Sequence, residues 1–145
     1  MSNPPLTRLE LAKMIDHSLL SPVLTREETI KGLEVAMREQ VSSATIKPCY
    51  TALTTDVLKG SGVMVNPVIC FPFGYDTTET KVLATEQAID KGADEIDMVL
   101  NLGALFGGEY QYVQDDIAAV VQAAQGKTVK VILETCLLTP EEIVQ

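Results

Sequence analysis

The sequence lacks most of the features by which metal and cofactor sites are recognised. It has a single histidine, His17, and no CxxC pair among its three cysteines, so we expect no zinc site and no other cluster of metal ligands. It also has no glycine pattern of the G-x-G-x-x-G or Walker type, which would hold a nucleotide phosphate. We therefore expect neither a metal nor another cofactor.

Other absences restrict the class of protein. An odd number of widely spaced cysteines favours reduced thiols in a cytoplasmic protein over a disulfide framework. The net charge of −9, without a basic cluster, argues against binding to nucleic acid or to an anionic membrane. No segment has the roughly 18 apolar residues of a transmembrane helix, and the first residues do not resemble a signal peptide. A cytoplasmic protein is expected.

What the sequence does contain is a regular alternation of strand and helix patterns. The 145 residues are 46% hydrophobic, which is enough for the core of one domain. The pattern predicts strands at 14–18, 44–47, 63–71, 94–100 and 128–134. It predicts helices at 7–13, 25–40, 51–59, 76–91 and 110–125. Such alternation is typical of βαβ units and a parallel sheet.

Helix N-termini are marked by capping-box patterns. Thr7, Thr25, Asp76 and Thr139 are each followed three residues later by a glutamate, which predicts an N-cap at each position. The pattern at Thr139 opens a helix with very few residues left in the chain. We therefore interpret residues 1–145 as a single domain, an incomplete barrel that ends at the start of its fifth barrel helix.

Two architectures fit the alternation: a complete doubly wound sheet, or five of the eight units of a barrel. In a doubly wound sheet, helices cover both faces of a central strand, which should then be apolar throughout. Here strands two, four and five each have one apolar face and one polar face. The polar faces carry Thr45 and Lys47; Glu95, Asp97 and Val99; and Thr128, Lys130, Ile132 and Glu134. This pattern favours the barrel, with the polar face turned to a shared interior.

The candidate functional residues are charged side chains predicted at the carboxyl ends of the strands. They are Asp16, Lys47, Asp97 and Glu134. Active sites of α/β barrels lie at that end, and opposed ammonium and carboxylate groups shift one another's pKa values, as acid–base catalysis requires. The alternative is a structural ion-pair network inside the barrel, which could also include Lys130.

Four segments, in order, resemble motifs of the deoxyribose-phosphate aldolase family. They are LAKMIDHSLL (11–20), VICFPFGYDTTETK (68–81), GADEIDMVLNLGAL (92–105) and KVILETCLLTPEE (130–142). The resemblance covers nearly the whole chain and implies a (β/α)8 barrel whose first five units are present. It also implies reversible cleavage of 2-deoxy-D-ribose 5-phosphate, in deoxyribonucleotide catabolism, to glyceraldehyde 3-phosphate and acetaldehyde.

The resemblance further implies a metal-free mechanism in which a strand-six lysine forms a Schiff base with the sugar. Asp97 matches the strand-four aspartate that helps to move protons. Six residues are expected in the pocket for the phosphorylated sugar: Asp16, Ser18, Thr45, Lys47, Phe71 and Glu134.

The sequence also departs from the family pattern. The strand-six run of the Lys-Thr-Ser type is missing, so we expect the chain alone to be inactive. We expect Lys47 to face carboxylates that keep it protonated, and we assign neither Lys47 nor Lys130 as the nucleophile. Pro67 within strand three removes a backbone donor, and Cys70 replaces a typical glycine; both could disturb that strand.

Partners and rival functions follow from the same interpretation. An open five-stranded sheet would have unpaired edges at strands one and five, so we expect a homo-oligomer or association through those edges. One rival is a non-catalytic barrel fragment that acts by binding a partner. Another is a self-contained doubly wound ligand-binding module, in which strand one would lie in the middle of the sheet.

Overall fold

The computed structural model describes residues 5–144, in which five parallel strands alternate with helices. The strands are β1 (Asp16–Leu19), β2 (Ser43–Ile46), β3 (Met64–Ile69), β4 (Glu95–Val99) and β5 (Thr128–Ile132). The helices are α1 (Arg8–Ala12), α2 (Arg26–Glu39), α3 (Thr51–Leu58), α4 (Thr78–Asp90), α5 (Leu102–Phe106), α6 (Tyr110–Ala123) and α7 (Pro140–Val144). Two short 3₁₀ turns, Pro48–Tyr50 and Thr135–Leu137, follow β2 and β5.

The order of the strands decides between the two architectures. The sheet order is β1-β2-β3-β4-β5, and each neighbouring pair is parallel. β1 therefore lies at an edge, which excludes the rival architecture, a doubly wound sheet with strand one in the middle. Sequential parallel strands joined by helices are the first five βα units of a (β/α)8 barrel, as expected from the strand polarity.

Most of the predicted helix caps are confirmed. Thr7 and Thr25 each form a complete capping box with the glutamate three residues later. Thr139 and Glu142 exchange the same two hydrogen bonds before α7. The prediction for Asp76 is wrong. Thr77 is the last extended residue before α4, and its side chain accepts from the Thr80 N–H.

The apolar face of the sheet packs against the helices, as the alternation predicted. One cluster joins Ala44 and Ile46 of β2 to Leu33 of α2. A second joins Ile96 and Met98 of β4 to helices α4 and α6. Because this face of the sheet is occupied by helices, the side chains that alternate with it lie on the opposite side, which we call the inner face.

A buried ion pair between α4 and α6 was not foreseen. Lys81 Nζ lies 2.5 Å from Asp116 Oδ2, and both side chains are almost fully buried. Thr78 donates to the other carboxylate oxygen, and Lys81 also donates to the carbonyl of Val99 at the end of β4. The pair therefore connects two outer helices to the sheet.

Within residues 5–144, no helix is long and apolar enough to cross a membrane.

The departures at Pro67 and Cys70 do not interrupt strand three. β3 runs from Met64 to Ile69, with Pro67 paired to Ile46 of β2. Cys70 follows the strand with a φ of 56°, in the left-handed region that glycine adopts most easily. This geometry explains why a glycine would suit that position.

Candidate functional site on the inner face

The centre of the inner face is an ammonium group surrounded by carboxylates. Lys130 Nζ lies 2.6 Å from Asp16 Oδ2, 3.0 Å from Glu95 Oε1 and 3.1 Å from Asp97 Oδ1. Lys130 is in the middle of β5, Glu95 and Asp97 alternate on β4, and Asp16 begins β1. The strand alternation places all four on one face.

The contact between Lys130 and Asp16 shows that the sheet is curved. In a flat sheet, four strand spacings would separate β1 from β5 by roughly 19 Å. A lysine and an aspartate that both stand upright on such a sheet could not meet. Their ion pair therefore requires the two edges of the sheet to curve toward each other around a common interior, as in a barrel.

The carboxylates around Lys130 determine the protonation state of its amine. Burial disfavours the ammonium form of Lys130, but its close contacts with the three carboxylates outweigh that effect and raise its pKa. Burial likewise acts to raise the pKa of Asp16, but hydrogen bonds from Lys130 and Ser43 and the lysine charge lower it overall. Both groups are therefore ionised at neutral pH. Lys130 is protonated and cannot act as a nucleophile there.

Two of the carboxylate oxygens contact Lys130 without a directed hydrogen bond. Glu95 Oε1 and Asp97 Oδ1 lie close to Lys130 Nζ, yet neither has an aligned hydrogen-bond donor among residues 5–144. These contacts are ion pairs rather than directed hydrogen bonds. Asp97 Oδ1 is therefore buried beside the ammonium group of Lys130, without a directed hydrogen bond from the described residues.

The other oxygen of Asp97 is held by an asparagine that the sequence analysis missed. Asn66 Nδ2 donates to Asp97 Oδ2 at 2.9 Å and to Thr45 Oγ1 at 3.2 Å. Asn66 is fully buried on β3, and Thr45 lies directly opposite it on β2. A signal was present in the sequence, because Asn66 interrupts an otherwise apolar strand pattern.

The structure brings together part of the predicted site. Asp16, Thr45 and Asp97 share the inner face, and Ser18 is paired with Thr45 in the strand register. Glu95, which alternates with Asp97, joins them. We predicted that Asp16 and Asp97 lie at the carboxyl ends of their strands, but the structure places Asp16 at the start of β1 and Asp97 in the middle of β4. Asp16 is the first residue of β1, since this strand begins two residues later than predicted.

Lys47 lies apart from the carboxylates it was expected to face. Its Nζ donates to the carbonyls of Ser21 and Leu24 and lies 5.1 Å from the centre of the Tyr50 ring. The expectation fails because β2 ends at Ile46, so the strand alternation no longer directs the Lys47 side chain. Lys130 occupies the position among carboxylates instead.

Glu134 and Phe71 also lie outside the ion-pair network. β5 ends at Ile132, two residues earlier than predicted, and Glu134 follows in a turn, where it accepts a hydrogen bond from Cys136. Phe71 is 41% exposed in the loop after β3.

An apolar cavity of about 490 Å³ lies elsewhere, between α6 and the segment after β5, and its lining includes Val113, Leu133 and Ile143.

Comparisons with known proteins agree with the architecture and the motifs. Residues 24–145 match the family model described as DeoC/LacD family aldolase. The chain is 52% identical over 137 residues to a deoxyribose-phosphate aldolase of Staphylococcus saprophyticus, covering 94% of this chain and 62% of that protein. A deoxyribose-phosphate aldolase of Bacillus mycoides is 49% identical over 138 residues, with the same coverage.

Solved structures give the same result. A protein described as QR15, an aldolase, superposes with a TM-score of 0.88 at 30% identity, covering 92% of this chain and 60% of that one. The deoxyribose phosphate aldolase of Aeropyrum pernix, described as a tetramer, gives a TM-score of 0.85 at 31% identity, covering 94% and 58%. The chain therefore spans about three fifths of the length of the proteins it resembles.

Proposed function

The chain belongs to the DeoC/LacD aldolase family, and we propose from this that its inner face serves the reaction of a deoxyribose-phosphate aldolase. In that reaction an amine forms an iminium with C1 of 2-deoxyribose 5-phosphate. The C3 hydroxyl loses its proton, the C2–C3 bond breaks, and the electron pair passes to the iminium to give an enamine. Glyceraldehyde 3-phosphate leaves, and the enamine is protonated and hydrolysed to acetaldehyde.

The observation that carries this proposal is the position of Asp97 beside Lys130 in the polar interior. Its Oδ1 lies 3.1 Å from Lys130 Nζ and has no aligned donor among residues 5–144, and we propose that substrate binding brings a hydroxyl group or a water to this oxygen for proton exchange. Asp16, Ser18 and Thr45 are proposed to line the pocket beside it. Lys47, Phe71 and Glu134 lie in the segments after β2, β3 and β5, and we propose that they contact the substrate from there.

The Schiff-base amine is proposed to lie outside this set of residues. Lys130 is held by three carboxylates that keep it protonated. Lys81, the most deeply buried lysine described, is bound to Asp116 between two outer helices. We therefore propose that the 145-residue chain alone does not complete the catalytic cycle.

A chimera tests the proposed function. The chain is joined to the segment of the Staphylococcus saprophyticus enzyme that carries the strand-six lysine and the residues after it. We expect this chimera to cleave 2-deoxyribose 5-phosphate and to give a covalent adduct after borohydride reduction. We expect Asp97→Asn to lower kcat by roughly a hundredfold or more, while Glu86→Gln on α4 leaves it unchanged.

Two results would contradict the proposal. One is a folded chimera that fails to cleave the sugar or is unaffected by Asp97→Asn. The other is a stable borohydride adduct on the 145-residue chain alone, which would mean that one of its own lysines is the nucleophile.

Association is a second part of the proposal. Within residues 5–144, β1 and β5 each pair with a neighbour on one side only, and unpaired parallel strands bind other strands readily. We propose that a second copy or the missing wall of the barrel covers these edges.

We also propose a cytoplasmic location, which the free thiols of Cys49, Cys70 and Cys136 support.

A further inference from the structure

Asn66 is a buried polar residue whose presence the proposed chemistry does not yet explain. It is fully buried in β3, and its Oδ1 has no hydrogen-bond partner among the described residues. An unpartnered buried acceptor costs free energy that an apolar residue such as valine would avoid at the same position. The other end of the side chain, the Nδ2 group, must therefore account for the asparagine.

Both hydrogens of the Asn66 amide have an acceptor. One is donated to Thr45 Oγ1 at 3.2 Å and the other to Asp97 Oδ2 at 2.9 Å. A carboxylate accepts hydrogen bonds and cannot donate them. Turning the amide over would bring Oδ1 against the carboxylate, so Asp97 fixes the orientation of the amide, and the Thr45 hydroxyl accepts from it in that orientation.

The same contact separates the roles of the two Asp97 oxygens. Oδ2 is bound to Asn66 from the side of β3, whereas Oδ1 lies 3.1 Å from Lys130 and has no aligned donor among residues 5–144. Contacts at both oxygens restrict rotation of the carboxylate, so Oδ1 keeps its direction toward Lys130 in the interior. Proton transfer by Asp97 depends on that direction.

We propose that Asn66 is a positioning residue for Asp97, anchored in turn by the hydroxyl of Thr45. This inference rests on the proposed function, because only proton transfer at Asp97 requires a carboxylate of fixed orientation. The hydrogen bonds that link Thr45, Asn66 and Asp97 cross β2, β3 and β4, so three neighbouring strands contribute one side chain each.

Nuclear magnetic resonance of the 145-residue chain tests the inference without turnover. The chain has only three asparagines, Asn3, Asn66 and Asn101, so selective ¹⁵N labelling resolves their side-chain amides. We expect the Asn66 amide hydrogens to exchange with solvent at least tenfold more slowly than those of Asn101. Thr45→Val, which removes the hydroxyl at nearly constant volume, should raise that exchange rate at least tenfold and shift the Asp97 carboxyl ¹³C signal. Thr45→Ser should retain the unmodified values.

A measurement on the unmodified chain covers the case in which Thr45→Val does not fold. The Asn66 amide signals and the Asp97 carboxyl signal should change together over one pH interval, because protonation of the carboxyl alters the hydrogen bond between them. Independent changes, or a folded Thr45→Val chain whose Asn66 and Asp97 signals are unaltered, would overturn the inference.

The two proposals can fail separately. A chimera that does not cleave the sugar, with Asn66 and Asp97 still coupled in the spectra, would overturn the proposed function alone. A chimera that cleaves the sugar while the two signals are uncoupled would leave the function standing and exclude the positioning role of Asn66.

Discussion

Lys130 on β5 donates a hydrogen bond to Asp16 on β1 at 2.6 Å, so the two edge strands of the sheet are joined through its interior. The same ammonium group contacts Glu95 and Asp97 on β4. One cation thus faces three carboxyl groups within this network.

The lowered pKa of Asp16 predicts an acid-dependent contribution to stability. A carboxyl group with a lower pKa in the folded state stabilises the fold above its unfolded pKa of about 4, and this stabilisation is lost as the pH falls through the folded value. Asp16→Asn should therefore be less stable than the unmodified chain at pH 7, and the difference should shrink toward zero below pH ~4. Urea unfolding at several pH values measures this. A difference that grows in acid would contradict the assignment.

The buried pair between Lys81 and Asp116 predicts a large effect of breaking it. Lys81→Met leaves the Asp116 carboxylate buried without its counter-ion, which should lower the free energy of unfolding by about 3–5 kcal/mol. The double variant Lys81→Met with Asp116→Leu should recover much of this loss, because no buried charge remains. Thermal unfolding compares the two. A double variant less stable than Lys81→Met would show that the pair itself is the main stabilising element.

Gly74 should be irreplaceable for steric reasons. A Cβ added there would lie 2.0 Å from the carbonyl oxygen of Leu100, and the residue has a φ of +74°. Gly108 has the same φ of +74° but open space around it, so it is a matched control for backbone strain alone. We expect Gly108→Ala to cost about 1 kcal/mol and Gly74→Ala to cost at least about 3 kcal/mol. Equal losses in chemical unfolding would exclude the steric explanation.

The open edges predict self-association of the 145-residue chain. Size-exclusion chromatography over a range of concentrations should show dimers or larger species that dissociate on dilution. Leu137 is 60% exposed just beyond β5, and Leu137→Glu should weaken the association. Leu83→Glu, at an exposed position on α4, is the control and should not. A monodisperse monomer at every concentration would contradict the prediction.

The sequence predicted those features that depend on local periodicity. The alternation at Glu95, Asp97 and Lys130 was sufficient to predict an inner face, and the threonine–glutamate patterns predicted three helix N-termini. Both follow from spacing along one segment. The order of the strands also agreed with the barrel interpretation, since sequential βαβ units favour neighbouring strands.

Features that depend on contacts between distant segments could not be predicted in the same way. In the structure, β1 begins at Asp16, two residues later than predicted, and β5 ends at Ile132, two residues earlier than predicted. Asp16 is therefore the first residue of its strand, and Glu134 lies outside the ion-pair network. The partner of Lys130 lies 114 residues earlier in the chain. The roles of Asn66 and Lys81 become visible only when the register between strands and the packing between helices are known.

A double-mutant cycle on Asp16 and Lys130 tests most directly whether the inner face encloses a common interior. The free energy of unfolding is measured for the unmodified chain, Asp16→Asn, Lys130→Met and the double variant. We predict a favourable coupling of about 0.5–1 kcal/mol at neutral pH, since the pair is partly exposed to solvent. Strictly additive effects would mean that the two edge strands do not meet across an interior, and would contradict the account.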